Sequence, residues 1–506
     1  MAEQDLIKTG IQGLDELFLG GILRGNIIVV EGAPGTGKTT LGMEFIYRGV
    51  TEFNEPGMIV SFEITPDKLI RNAATLGWNL RSLEEQRKLK IISTTREVFN
   101  RELQEADSLL LSEAAEIGVR RIFVDSLRLA ATLEAERAET FQMLAQGLDR
   151  HGLTALLAMD LPEVQQTEHL NPERFIADTI VLLGTQHLQR AVQRTIEIVK
   201  SRGQNYLSGT HSFSVISGKG IEIYRRVQSR RSEKREQAAA FDPITRVPSG
   251  ISGLDELLNG GYLLASATLV VGVSGVGKTI MALQYLRDGV QRGERGLIIS
   301  LDEPPAQMIR NAAKIGFDLR AAVDGDLVRL WFEPPQEIEI DRHFSRIEEA
   351  IATFKPHRAV IDSLSTYESN IGSVARDYRD FFHAVVVLMK EHQVTTIYNH
   401  ENPEVLGISS MMGDTKSSSL IDNIIMMNWV ELGDTFRQAL TIAKLRANST
   451  NHTTQECEIV DGQGMQVLPR ALAGILPARP FSSYLGLISR APERNPDVAV
   501  DKKPQQ

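Results

Sequence analysis

Short runs of β-branched and other apolar residues alternate along this chain with longer segments of helical spacing. NIIVVEG, GMIVSFE, RIFVDS and LTALLAM in the first half, and ATLVVGV, GLIISLD, RAVIDS and VTTIYN in the second, are nearly continuous apolar runs, which predicts strands buried on both faces. Between them, segments such as LGMEFIYRGV and MALQYLRDGV place apolar residues at helical intervals. This alternation predicts an α/β architecture with a mostly parallel sheet in each half. No apolar run reaches about 18 residues without a charge, so no membrane-spanning helix is expected.

The chain also says the same thing twice. Thr9–Gly21, TGIQGLDELFLGG, precedes Ser249–Gly261, SGISGLDELLNGG, by 240 residues. Ile70–Leu80, IRNAATLGWNL, answers Ile309–Leu319, IRNAAKIGFDL, at 239, and Arg121–Leu127 answers Arg358–Leu364 at 237. Nearly constant offsets mean equivalent cores joined by loops of slightly different length, and a period this long is a whole domain rather than a solenoid unit. The expected organisation is a first domain over 1–225, a charged connector over 226–246, a second domain over 247–477 and a tail over 478–506. The connector region, RRVQSRRSEKREQAAAFDPITR, is dense in charge and poor in periodic apolar residues; the tail holds four prolines and one apolar patch, YLGLI.

Composition narrows the class. The chain has 506 residues, 42% hydrophobic and 24% charged, which is globular rather than disordered. Lys plus Arg number 55 against 65 Asp plus Glu, and the net charge of −10 argues against a surface built to neutralise nucleic-acid phosphates or anionic lipid. The single cysteine, Cys457, cannot form a disulfide within the chain, and MAEQDLIKTG lacks the pattern of a signal peptide, so a cytoplasmic protein is expected, without nucleic-acid or membrane partners. The ten histidines show no convincing ligand spacing.

Two segments fit G-x-x-x-x-G-K-[ST], each between an apolar strand and a helical segment, which is the context the motif requires. The expected phosphate-binding set is Gly32, Pro34, Gly35, Thr36, Gly37, Lys38, Thr39 and Thr40 in the first half, and Gly272, Ser274, Gly275, Val276, Gly277, Lys278, Thr279 and Ile280 in the second. Glycines let backbone N–H groups converge on phosphate oxygens, Lys38 and Lys278 reach the β and γ phosphates, and Thr39 and Thr279 offer hydroxyls to Mg²⁺. Recurrence at equivalent places disfavours a plain glycine turn, so both halves are expected to bind a nucleoside triphosphate. Asp125 and Asp362 each end an apolar strand, where a carboxylate can hold the Mg²⁺ water shell or simply cap the following helix. Glu63, and the pair Asp302 and Glu303, end another strand and can orient or deprotonate an attacking group, or lie solvated in a loop. Lys200, Arg202, Lys444 and Arg446 end the alternating strands TIEIVK and LTIAK; their bland alternative is a basic strand end in water. His400, after VTTIYN, reads as a polar strand-end residue or a nucleotide sensor, with its first-half counterpart around Asp160.

From Thr9 to about Leu468 these motifs resemble the KaiC family of duplicated RecA-like P-loop ATPases, whose founding members are cyanobacterial circadian clock proteins. The resemblance implies two tandem RecA-like domains, a homohexamer of two stacked rings with ATP and Mg²⁺ between subunits, slow hydrolysis in the first domain and serine/threonine autokinase and phosphatase activity in the second. It implies that Lys200, Arg202, Lys444 and Arg446 reach the neighbouring subunit's γ phosphate, and that Ser418 and Ser419, before LIDNIIMM, are phosphorylated. A KaiB-like partner or other signalling proteins would take the output. Departures are visible: Glu63-Ile64 and Asp302-Glu303 stand where the family often has two glutamates, serine stands at 419 in place of threonine, and Ala447 follows the second basic motif where the first has Gly203. Two other readings stay open: a DNA-dependent motor of the recombinase or replicative-helicase type, which shares the fold, and a nucleotide-regulated scaffold without kinase activity.

Overall fold

A computed structural model describes residues 5–105, 108–125, 134–160, 172–188, 191–227, 245–370, 375–401, 420–432, 435–446 and 452–471. The chain divides between Arg226 and Val227 into two compact units. The first is built on a nine-stranded sheet: β1 Ile27–Gly32, β2 Gly57–Ser61, β3 Leu89–Ser93, β4 Arg121–Asp125, β5 Thr154–Asp160, β6 Thr179–Leu188, β7 Ala191–Ser201, β8 Thr210–Ile216 and β9 Gly220–Tyr224. Its spatial order is β9-β8-β7-β6-β1-β5-β4-β2-β3. From β3 across to β6 all pairs are parallel, and from β6 to β9 all are antiparallel. The second unit repeats this with β10 Ala267–Gly272, β11 Gly296–Ser300, β12 Val328–Phe332, β13 Arg358–Asp362, β14 Thr395–Glu401, β15 Asn423–Leu432, β16 Thr435–Leu445, β17 Thr454–Val460 and β18 Gly464–Ala471, in the order β18-β17-β16-β15-β10-β14-β13-β11-β12.

The mostly parallel sheet expected from the apolar runs is present in both units, flanked by helices. Every residue of β1, β2 and β4 is buried, as strands covered on both faces must be. The antiparallel half is less conspicuous in the sequence because strands such as β8 mix buried and half-exposed positions. Helices α1 Lys38–Phe53 and α2 Pro172–Ile176 in the first unit precede α3 Lys278–Gln291, α4 Ile340–Phe354, α5 Leu364–Asn370 and α6 Ala375–Glu391 in the second. The serine pair 418 and 419, most of the connector and the tail lie outside the described residues.

The opening T/S-G-I-x-G-L-D-E-L repeat is explained by packing. Asp15 accepts from the Thr9 backbone N–H at 2.7 Å and hydroxyl at 2.8 Å, and Asp255 accepts from the Ser249 N–H at 2.8 Å. Gly13 sits at φ 83°, and a Cβ there would meet the Ile223 carbonyl oxygen at 2.2 Å, so the motif ties the chain start to β9.

One repeated position differs in charge. Glu44 on α1 is fully buried and accepts from the Ile221 N–H at 2.7 Å; its equivalent on α3 is Gln284, which accepts from the Met465 N–H at 2.6 Å and donates to the Met465 carbonyl at 3.1 Å. Burial pushes the Glu44 carboxyl up to about 7, against the opposing pull of the Ile221 N–H and Arg48. A folded group that holds its proton above its unfolded range destabilises the fold as pH rises, here between 4.5 and about 7. Glu44→Gln is therefore expected to stabilise the first unit at pH 8 by about 1–3 kcal/mol, and by little at pH 5. Thermal unfolding at the two pH values checks this; a gain confined to pH 5 would contradict it.

Candidate functional site

In each unit the central strand ends in the glycine-rich loop and the loop turns into a helix. Gly37 and Gly277 occupy the position before the helix at φ 110° and 106°, a left-handed region that side chains avoid, and neither helix start receives a side-chain cap. The first-turn amides of α1 and α3 are thus available to an anion, with the helix dipole favouring negative charge. Pro34, Gly35, Ser274 and Gly275 are exposed at the loop tips, whereas Thr36 and Val276 are buried beneath them. The Thr36 hydroxyl braces the first loop by donating to the Ala33 carbonyl at 2.8 Å; Val276 fills the same place by packing. Thr40 and Ile280 follow on the helices, half-buried.

Lys38 and Lys278 are curled into their loops. Lys38 Nζ donates to the Gly32 and Ala33 carbonyls at 2.7 and 2.9 Å and meets the Asp160 carboxylate at 3.0 Å. Lys278 Nζ donates to Gly272 and Val273 at 2.8 and 2.9 Å. Burial lowers the Lys278 pKa, while Glu401, Asp362 and Asp302 oppose it. The register shows why Asp160 and Glu401 face these lysines: Gly32 is opposite Asp160 and Gly272 opposite Glu401. It also corrects the pairing expected for His400. His400 lies opposite Val271, and the equivalent place opposite Glu31 is taken by Met159, so Glu401 and not His400 answers Asp160. A shift of one residue along a strand reverses the face a side chain occupies. His400 is buried, with Nε2 3.3 Å from Glu368.

The threonine and aspartate expected around a cation are brought together in both units. Thr39 Oγ1 donates to Asp125 at 3.0 Å, and Thr279 Oγ1 to Asp362 at 2.8 Å. Burial raises the Asp125 pKa against the Thr39 hydrogen bond, and raises that of Asp362 to about 6 against Thr279 and Asn399. Among the described residues no cluster of three or more His, Cys, Asp or Glu is arranged to hold a metal. One carboxylate and one hydroxyl, beside a glycine-rich loop at a helix N-terminus, is an all-oxygen donor set suited to Mg²⁺, which completes its shell with waters and substrate phosphates.

The strand-end acids diverge between the units. Glu63 is half-exposed and pairs with Arg96 at 3.3 Å. Asp302 takes two hydroxyls from the start of α5, Ser363 at 2.7 Å and Thr366 at 2.5 Å. Glu303 is drawn aside: its carboxylate accepts from the Asn311 side chain at 2.9 Å, and its backbone N–H donates to Ser300. Asp302 is the residue in register with Glu63, because Ser61 and Ser300 end their strands opposite Asp125 and Asp362. The α5 hydroxyls were not singled out from the sequence, where Ser363 reads only as the residue after a strand-end acid.

The structure places the basic motifs away from their own loops. Lys200 pairs with Ile180, which lies opposite Val29, three residues or roughly 10 Å before the loop along β1. Its Nζ donates to the Arg174, Phe175 and Ala177 carbonyls at 2.9, 3.3 and 2.7 Å, and Arg202 donates to the Phe175 and Ile176 carbonyls, all at the end of α2. Lys444 donates to the Ile421 carbonyl at 2.6 Å, and Arg446 pairs with Asp422 at 3.0 Å. Desolvation, then the neighbouring arginine, lowers the pKa of each lysine.

Two stretches, residues 7–228 and 247–471, match the family model described as "ATPase: KaiC". The chain is 30% identical over 513 residues to the circadian clock oscillator protein KaiC of Thermosynechococcus vestitus, covering 99% of this chain and 94% of that protein. It is 29% identical to the protein of the same name in Picosynechococcus sp., over 98% and 93% of the two chains, and 28% identical to that of Prochlorococcus marinus, over 97% and 96%. No helix among the described residues is long and apolar enough to cross a membrane.

Proposed function

The chain belongs to the KaiC family of duplicated ATPases, and on that premise we propose that its first unit is a slow ATP hydrolase and its second a serine/threonine autokinase and phosphatase, assembled as a homohexamer in timing or signalling. One observation carries the reading: the lysine, threonine and aspartate of the phosphate site recur with the same hydrogen bonds in both units. In this reading the loop amides and Lys38 or Lys278 bind the triphosphate of ATP, and Thr39 with Asp125, or Thr279 with Asp362, hold Mg²⁺, which neutralises charge on the phosphates when bound. Glu63 orients or deprotonates the attacking water. Asp302, or Glu303 next to it in sequence, does the same for a hydroxyl, and Ser418 and Ser419 are the phosphate acceptors.

Lys200, Arg202, Lys444 and Arg446 complete the pocket of an adjacent subunit. Their position toward the beginning of the central strand, away from the loop, supports a role in trans. Arg202→Ala is expected to keep ATP bound while lowering hydrolysis in the first unit about a hundredfold, the scale of one lost transition-state cation. Equal loss of binding and hydrolysis, or a monomer that hydrolyses ATP at full rate, would contradict a role in trans.

A second reading, ATP held in the second unit without phosphoryl transfer, is favoured by Asp302, whose carboxylate is one methylene shorter than that of Glu63 in the same register. Incubation of the purified protein with Mg-ATP, followed by intact-mass analysis and phosphosite mapping, separates the two. Phosphate at Ser418 or Ser419 that disappears in Lys278→Ala supports the kinase; bound ATP without incorporation supports the scaffold.

A further inference from the structure

The second unit contains a buried polar chain that none of these roles uses. His343 on α4 and Tyr367 on α5 are both completely buried, and Glu333, just after β12, is nearly so. His343 Nδ1 lies 2.8 Å from Glu333 Oε2 and Nε2 lies 2.6 Å from the Tyr367 hydroxyl. All three groups are satisfied when Nδ1–H donates to the carboxylate and the tyrosine hydroxyl donates to Nε2. Arg346 closes the far end, 3.1 Å from Glu333 and stacked over Trp331.

Tyr367 has neighbours in sequence that face the site. Thr366 and Ser363 donate to the two oxygens of Asp302, Ser365 lies 2.8 Å from Ser363, and Glu368 reaches His400. One short helix therefore has its inner side anchored by His343 and its outer side fastened to the strand-end acid. In the first unit other residue types stand at the matching positions. Thr94 occupies the register of Glu333, each donating its N–H to the serine that ends the neighbouring strand, Ser61 or Ser300. Aligned on Asp-Ser-Leu, Thr366 and Tyr367 correspond in sequence to Leu129 and Ala130.

We infer that Glu333, His343 and Tyr367 are positioning residues of the second unit: they fix α5 so that Ser363 and Thr366 hold the Asp302 carboxylate in one orientation. A carboxylate one methylene shorter than Glu63 has less reach, so its direction must be set from outside, and a helix of seven residues has too few contacts to set itself. The inference rests on the proposed role of Asp302 as proton acceptor.

The test uses the full chain carrying Glu63→Gln, so that turnover reports the second unit. Tyr367→Phe keeps the buried ring and removes the hydroxyl. Expected are faster amide exchange over residues 364–370, ATP turnover about tenfold lower, and a KM for ATP within about twofold. Thr366→Val, at a half-buried position, should give a similar loss, and the double variant no more than either alone. Unchanged exchange in Tyr367→Phe, or fully additive losses, overturns the inference. Asp302→Asn with undiminished turnover would instead overturn the role of Asp302, whatever the exchange result.

Discussion

Lys38→Ala is expected to lower ATP turnover in the first unit at least a hundredfold, and Lys278→Ala to do the same in the second. Each ammonium is gathered into its loop by two carbonyls, which places it where the terminal phosphates of a nucleotide on the helix N-terminus would lie. Asp160 and Glu401, aligned with the loop glycines, add negative charge beside it. Removing the cation leaves these acids facing an anionic ligand, so both ground-state affinity and transition-state stabilisation fall, the latter by about 3 kcal/mol on the scale of a lost oxyanion partner. Bound ATP per chain, counted after desalting, should drop by half in either single variant. Turnover of Lys38→Ala is read with Asp302→Asn in the same chain to silence the second unit. A variant that keeps its full complement of nucleotide and its rate would remove the basis for a triphosphate site.

Arg358→Met is expected to destabilise the second unit by about 3 kcal/mol, although it lies at the opposite end of β13 from Asp362. The guanidinium is 1% exposed and makes an unusual number of bonds: to Glu294 at 2.5 Å, Asp288 at 2.9 Å, and the Tyr285 and Pro248 carbonyls at 2.7 and 3.0 Å. Methionine fills the volume of the stem but takes the donor from the Tyr285 and Pro248 carbonyls and the cation from between Glu294 and Asp288, although Asp288 keeps its pair with Arg292. Arg121 repeats the arrangement, with Glu55 and the Phe45 and Lys8 carbonyls, over the rings of Phe45 and Phe53. Gly49 and Gly289 make room for it: a Cβ at either would lie 2.6 or 2.7 Å from the arginine Cδ. Denaturant unfolding of Arg358→Met should show the early loss of one unit; an unchanged transition would mean that the bonds form without net gain over water.

These arginines show where sequence reading stops. Both open the repeated RIFVDSL and RAVIDSL segments, so their recurrence was visible, but a basic residue beginning an apolar strand gives no sign that it is buried. Its partners come from residues more than sixty positions away. The same limit applies to His343, which reads as a lone histidine on an amphipathic helix until Glu333 and Tyr367 close on it from either side. His400 marks the finer form of the limit: an apolar run locates the strand, but only the pairing shows that His400 is level with Met159 and Glu401 with Asp160.

The order of residues alone determined the duplication, the α/β class, both glycine-rich loops and the strand-end acids beside them. Each is encoded within a few consecutive positions: glycine spacing sets a local backbone path, and an unbroken apolar run predicts a strand covered on both faces. Tertiary structure decided which acid faces each loop lysine, that the basic motifs lie away from their own loops, and that α5 links a buried histidine to Asp302. Those relations depend on the alignment of strands distant in the chain, and alignment follows from how whole faces pack, a sum over many residues that no single segment carries.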